Sequence, residues 1–123
     1  VRCHALDGRG GRLGPDLAHI GASVDRARLL QSILAPSSEV SPEFQAYVVT
    51  RRDGSVLEGS QLHWNATADA ATLDLVDGQT VTIRSADVAS IVAPPTSFMP
   101  EGLEHTMTTS ELQDLLAFLE QRR

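Results

Sequence analysis

The hydrophobic periodicity of this chain changes twice, and this change limits the folds that the chain can adopt. Apolar side chains recur at helical spacing in residues 1–43, alternate with polar ones in residues 44–93, and return to helical spacing in residues 94–123. The sequence therefore predicts an α+β protein. We expect a mainly α-helical domain, built from residues 1–43 and 94–123, with an inserted antiparallel β subdomain at residues 44–93.

The insert contains two strong turn signals between runs of β-branched and apolar residues. Asp53-Gly54 and Asp77-Gly78 are dipeptides typical of tight hairpins, because type I′ turns need positive φ at both central residues. Together with the runs around them, they predict five short strands. A meander of five strands favours a small barrel or a curled sheet.

Three helical segments are expected outside the insert. Cys3–Asp7 could form one or two helical turns that end at Gly8, and a second helix begins after Ser23 or Asp25. This second helix ends at Ala35, because a residue before proline avoids the α conformation.

The last helix begins after Thr108 or Thr109, with Glu111 near the position that completes a capping box. One apolar face follows, made of Leu112, Leu115, Leu116 and Leu119. Without the insert, the helical part has a size at which chains usually need a staple such as a metal or a cofactor.

The charge and composition exclude some classes of partner. The chain has 123 residues, a net charge of −6 and a pI near 5.0, so it has no basic stripe to neutralise phosphates. We therefore expect no nucleic-acid partner. No apolar run approaches the length of a membrane span, which predicts no direct membrane insertion.

The dipeptide Cys3-His4 is the most specific chemical signal in the sequence. It matches the second half of C-x-x-C-H, the attachment motif of c-type haem, whose first cysteine would precede Val1. In that setting Cys3 is a thioether anchor and His4 the proximal iron ligand. Met99, followed by Pro100 in an irregular stretch, is the expected distal ligand, because a thioether sulfur suits haem iron.

Three other side chains compete with Met99 for the distal position, namely Met107, His105 and His19.

Further residues are expected to surround the haem. Pro15 is placed to pack on its proximal side, where a nearby carbonyl would accept the proton on Nδ1 of His4. Leu17 and Phe98 are candidates for direct contact with the porphyrin.

Taken together, these motifs resemble those of c-type cytochrome domains. The shared pattern is Cys3-His4, Gly8, Gly10-Gly11, Gly14-Pro15-Asp16-Leu17, Ile33-Leu34, Pro36, Ser97, Met99-Pro100 and Asp114-Leu115-Leu116 with Phe118-Leu119. The pattern looks most like the haem-binding domain at the C-terminus of large exported dehydrogenase-like proteins of planctomycetes and verrucomicrobia. The resemblance implies a cytochrome c-like helical fold, covalent haem c and a periplasmic or otherwise exported location.

The resemblance also implies a function. The domain would transfer electrons through a haem with His4 and Met99 as axial ligands, without being an enzyme itself. Its partner would be a redox protein or a fused dehydrogenase domain. The alternative is a haem-free docking module whose β insert mediates protein–protein or interdomain contacts.

Overall fold

The computed structural model describes residues 2–123, and its main element is a five-stranded antiparallel sheet. Val1, the first residue of the predicted helical domain, lies outside the described residues. The helices are α1 (Ile20–Ser23), α2 (Arg26–Leu34) and α3 (Thr109–Glu120). The strands are β1 (Ala5–Leu6), β2 (Arg9–Gly10), β3 (Tyr47–Arg51), β4 (Val56–Asn65), β5 (Ala70–Leu75), β6 (Thr80–Arg84) and β7 (Val88–Val92).

The predicted fold class, a mainly α-helical cytochrome c-like domain, is wrong, because the protein is mainly β. The three α-helices are short, and the longest of them, α3, has 12 residues. The segment Cys3–Asp7, expected to be helical, instead enters a two-stranded ribbon in which β1 pairs with β2. Asp7 and Gly8 form its turn with φ of 52° and 77°, a left-handed conformation that a helix does not contain.

The predicted five strands in residues 44–93 are confirmed, but their order differs from a simple meander. The sheet order is β6-β5-β4-β3-β7, so the last strand pairs with β3 instead of β6. A single 3₁₀ turn, Ser85–Asp87, connects strands at opposite edges of the sheet. Because so short a link cannot cross a flat sheet, the sheet must curl. The N–H of Arg52 donates to the carbonyl of Asp87 over 2.8 Å and fixes this turn against the β3–β4 hairpin.

Two separate apolar clusters hold the protein together. The sheet cluster has Val49, Leu73 and Ile83 at its centre, all almost fully buried on one face of the sheet. The helix cluster lies between α2 and α3, with these buried residues at its centre: Leu29, Ile33, Leu116 and Leu119.

Helices α2 and α3 are capped as their sequences predict. Asp25 accepts a hydrogen bond from the N–H of Arg28 over 2.9 Å at the start of α2. Thr108 and Glu111 form a complete capping box at the start of α3. Within residues 2–123, no helix has the length and apolar character needed to cross a bilayer.

Candidate functional site: the predicted ligand residues and a free sheet edge

The loop that follows β2 holds the side chain of His4. Its Nδ1 lies 2.8 Å from the carbonyl oxygen of Pro15, so a proton on Nδ1 is donated to that carbonyl. Gly14 lies flat against the ring, and a Cβ added there would come within 2.5 Å of Cε1 of His4. The N–H of Gly14 donates to the carbonyl of Cys3 over 2.9 Å. The half-buried Cys3 and His4 are thus fixed by backbone rather than by other side chains.

The other predicted contact residues lie mostly at the helix cluster. Leu17 and Met99 both pack against it, and Phe98 is half-buried outside it. The N–H of Met99 donates to Oγ of Ser97 over 3.0 Å, which fixes this segment locally. The structure therefore brings Leu17 and Met99 to one cluster.

A separate contact, between Nδ1 of His4 and the carbonyl oxygen of Pro15, brings these two residues together. In residues 2–123, no hydrogen bond or shared apolar cluster joins His4 to Met99. The haem-binding roles stay predictions for all six residues to which the sequence assigns them: Cys3, His4, Pro15, Leu17, Phe98 and Met99.

The predicted cofactor, covalently bound haem c with its iron, is wrong for this chain. Two thioether bonds need two cysteines, and the sequence contains one, Cys3. The part of the chain from Arg2 onward also contains no group of three or more His, Cys, Asp or Glu side chains that could hold a metal ion. The predicted metal binding depended on the haem iron and is wrong with it. Electron transfer as a function is not tested by these observations and stays a prediction. Export and the fused dehydrogenase partner stay predictions.

The outer strand β7 offers a different kind of site. Its sequence, Val-Ala-Ser-Ile-Val, contains no charged side chain, and four of its five residues are exposed. It pairs with β3 on one side, and across residues 2–123 no strand pairs with its other side. In an antiparallel ladder, alternate residues direct both N–H and C=O away from the paired neighbour. Strand β7 therefore presents unpaired backbone groups beside apolar side chains such as Val92, which is 56% exposed.

The ends of this free edge are well defined. On the N-terminal side it begins at the 3₁₀ turn that ends with Asp87, held by the N–H of Arg52. On the C-terminal side Pro94 and Pro95 follow, which lack N–H groups and stop further pairing. The side-chain amide of Gln45 donates to the carbonyl of Pro94 over 2.8 Å. The edge is thus a fixed, five-residue template.

The opposite edge of the sheet differs in charge and in cover. Strand β6 ends in Arg84, and the guanidinium of Arg12 lies beside its first residue, 3.3 Å from Oγ1 of Thr80. Charged side chains at an edge oppose pairing with other strands. Of the two edges, β7 is therefore the one open to a further strand.

Sequence reasoning found the strand β7 but missed its position at the edge. The β-branched residues Val88, Ile91 and Val92 predict a strand. The neighbour of that strand, however, depends on how the whole sheet closes. The strand lacks the charges that normally protect edge strands, so its own sequence gives no sign of an edge position.

Comparisons with known proteins add little to this description. No protein-family model and no curated protein matches the chain. A structure solved by X-ray crystallography as a target of the Northeast Structural Genomics Consortium is similar, with 24% identity over 40% of this chain and 89% of its own. Its TM-score is 0.38, a value that carries no argument about fold or function.

Proposed function

We propose that this chain is a docking module that binds an extended segment of a partner polypeptide along the free edge of β7. The observation that supports the proposal is the exposed, uncharged edge of Val88–Val92, bounded at both ends. The partner is either a separate protein or another domain of a longer polypeptide. No catalytic step is part of this function.

The physics of strand addition explains how such an edge binds. The partner segment would add a sixth strand to the sheet by forming main-chain hydrogen bonds with β7. These bonds give affinity for any extended segment that lacks charge at the pairing positions. Side chains on alternate positions then decide which segment fits. Ile91 and Val92 point to opposite faces of the sheet, so the partner needs apolar residues on both of its faces.

The partner segment should also be short and uncharged. It cannot pair beyond Pro94, and the turn at Asp87 limits it at the other end. With a net charge of −6 on the chain, acidic residues next to the pairing segment would be repelled at low salt, so basic flanks are favoured.

Site-specific photo-crosslinking in the producing organism tests the proposal. A photoreactive residue is placed at Val92 on the edge, and a matched one at Gln113 on the exposed face of α3. We expect a discrete adduct from position 92 and none from position 113. Mass spectrometry then separates an intermolecular adduct from an intramolecular one.

The variant Ser90→Lys places a charge at the centre of the edge and should abolish the adduct at position 92. Its urea midpoint, compared with that of the unmodified protein, shows that the sheet is still folded. The proposal fails if position 92 gives no adduct, or if Ser90→Lys leaves the adduct unchanged in a folded protein.

A further inference from the structure

A polar cleft lies on the face of the sheet opposite the sheet cluster. Its volume is about 590 Å³, within the range of sites that hold small ligands. The N-terminal loop forms one wall and strands β4, β5 and β6 form the other. The side chains used below are those of Arg12, Asp16, Phe44, His63, Thr72 and Asp74.

The strand register gathers polar groups on this wall. His63 is the cross-strand partner of Thr72, and Asp74 that of Thr80. Residues two apart on a strand share a face, so Thr72 and Asp74 lie side by side. Oγ1 of Thr80 donates to Oδ1 of Asp74 over 2.6 Å. The result is a row of hydroxyl, carboxylate and imidazole groups beside one another.

A β-bulge in β4 brings one more side chain, that of Gln61, to the cleft. The register shifts between Ser60 and His63, and Gln61 has a φ of 57°, which is unusual for a residue other than glycine. The side-chain amide of Gln61 donates to the carbonyl of Glu43 over 2.5 Å, and its Oε1 lies 3.4 Å from Nε2 of His63. Backbone strain of this kind is often found at binding sites.

The charges of the cleft select the class of ligand. The guanidinium of Arg12 is already paired with Asp74, with Nε 3.7 Å from Oδ2. Asp16 adds a second carboxylate, so the two carboxylates outnumber the one guanidinium and disfavour an anion. Three carboxylate, imidazole or thiol groups suited to a metal ion are not found together in residues 2–123. A ligand whose hydroxyl groups both donate and accept hydrogen bonds matches this mixture of charged and polar groups.

We propose that this cleft binds a saccharide. Hydroxyl groups of a sugar both donate and accept, as do the groups of Thr72 and Gln61 around it. Adjacent sugar hydroxyls can donate to Asp74 while they accept from Arg12, and the half-buried ring of Phe44 offers an apolar surface to the C–H face of the sugar. The residues that line the cleft lie on the N-terminal loop, at Phe44 and on β4, β5 and β6 rather than on β7, so this proposal does not rest on the proposed function.

Titration of the isotope-labelled chain followed by NMR tests the proposal, with maltose, cellobiose and N-acetylglucosamine as separate probes. We expect at least one probe to shift the amide resonances of His63 and Thr72 with a Kd on the order of millimolar. The resonances of β7 should not move. If none of the three probes shifts the cleft resonances, the proposal is overturned.

Two variants and a control sharpen the test. Asp74→Asn and Thr72→Val should each raise the Kd about tenfold, the effect of losing one hydrogen bond in a ligand site. Thr96→Val, an exposed threonine outside the cleft, is the matched control and should leave the Kd unchanged. Equal binding by Thr72→Val and by the unmodified chain contradicts the proposal. So does a shift of the same resonances by inorganic phosphate, which would assign the cleft to an anion.

Discussion

At the scale of single residues, three Asp-Gly dipeptides show how far a local signal reaches. All three form hairpin turns, yet only Asp7 and Gly8 both have positive φ. In Asp53-Gly54 and Asp77-Gly78 the glycine alone is left-handed, with φ of 88° and 90°. The sequence predicted the last two turns and missed the first. The sequence predicts a helix end at Asp7-Gly8 because the flanking strands have two residues each, too few for a visible alternation.

Gly14 gives a prediction at this scale. We expect Gly14→Ala to lower the free energy of unfolding by about 1–3 kcal/mol, because the added methyl group would overlap the ring of His4. In a His4→Ala background the same change should cost clearly less. Urea unfolding of the four proteins gives the coupling energy of the pair.

Gly78→Ala is the matched control for this cycle. A Cβ added at Gly78 would meet open space, so the destabilisation by Gly78→Ala comes only from the backbone φ of 90°. Its effect should therefore be the same with and without His4. A Gly14→Ala cost that does not depend on His4 would contradict the described contact.

At the scale of elements, the strands were predictable and their pairing was not. Alternation and turn residues are local, so they predict each strand. Whether β7 lies beside β6 or β3 depends on the curl of the sheet and on the single turn Ser85–Asp87. The same limit applies to the site. Cys3 and His4 are a sequence motif, whereas the free edge and the cleft exist only after distant strands have assembled.

The capping box of α3 predicts a pH dependence. The N–H of Thr108 donates to the carboxylate of Glu111 over 2.9 Å, and this bond, with the threonine hydroxyl, lowers the pKa of Glu111. A carboxyl group whose pKa is lower in the folded state contributes stability above its unfolded pKa, which is about 4.3 for a free glutamate. That contribution is lost as the pH falls through the folded pKa.

Glu111→Gln tests this, because glutamine keeps the capping geometry without the charge. The unmodified chain should be more stable than the variant at pH 7, and the difference should disappear as the pH falls below the folded pKa. Urea unfolding at pH 7 and at low pH measures both values. Asp114→Asn, on the exposed side of the same helix, is the control. A difference of equal size at both pH values would contradict the role of the charge.

The sheet cluster provides a second prediction for an element. Leu73 is fully buried at the centre of β5, between Val49 and Ile83. Leu73→Ala should lower the free energy of unfolding by about 2–5 kcal/mol, because the cavity adds to the lost burial. Thr72→Ala, the exposed neighbour on the same strand, should change it by less than about 0.5 kcal/mol. Urea unfolding compares the two, and equal losses would contradict the burial of Leu73.

At the scale of the whole molecule, segments from both parts of the sequence that flank the sheet meet in one cluster. The N–H of Gly21 in α1 donates to the carbonyl of Arg122 over 2.7 Å, and Arg26 forms an ion pair with Glu120 over 2.5 Å. The sheet lies between these segments in the sequence and has its own cluster. The division into a discontinuous helical part and a β insert stays a prediction, and it leads to a testable difference in local stability.

If the two clusters open independently, a core substitution in one should not weaken the other. Leu116→Ala should speed hydrogen exchange of the amides in α2 and α3 and leave those of β4 and β5 nearly unchanged. Leu73→Ala is the reciprocal control. It should speed hydrogen exchange of the amides in β4 and β5 and leave those of α2 and α3 nearly unchanged. Native-state hydrogen exchange monitored by NMR measures both patterns. A uniform acceleration throughout the chain in either variant would show a single cooperative unit instead.

The pairing of β7 with β3 has a consequence for biosynthesis. Strand β3 spans Tyr47–Arg51, but the strand that covers its second side is not synthesised until Val88–Val92. At roughly 5–20 residues per second, the ribosome leaves that side of the nascent β3 bare for seconds. During this interval the growing chain offers two open edges in succession, first that of β3 and then that of β7. An extended segment that arrives early would therefore compete with the chain's own last strand.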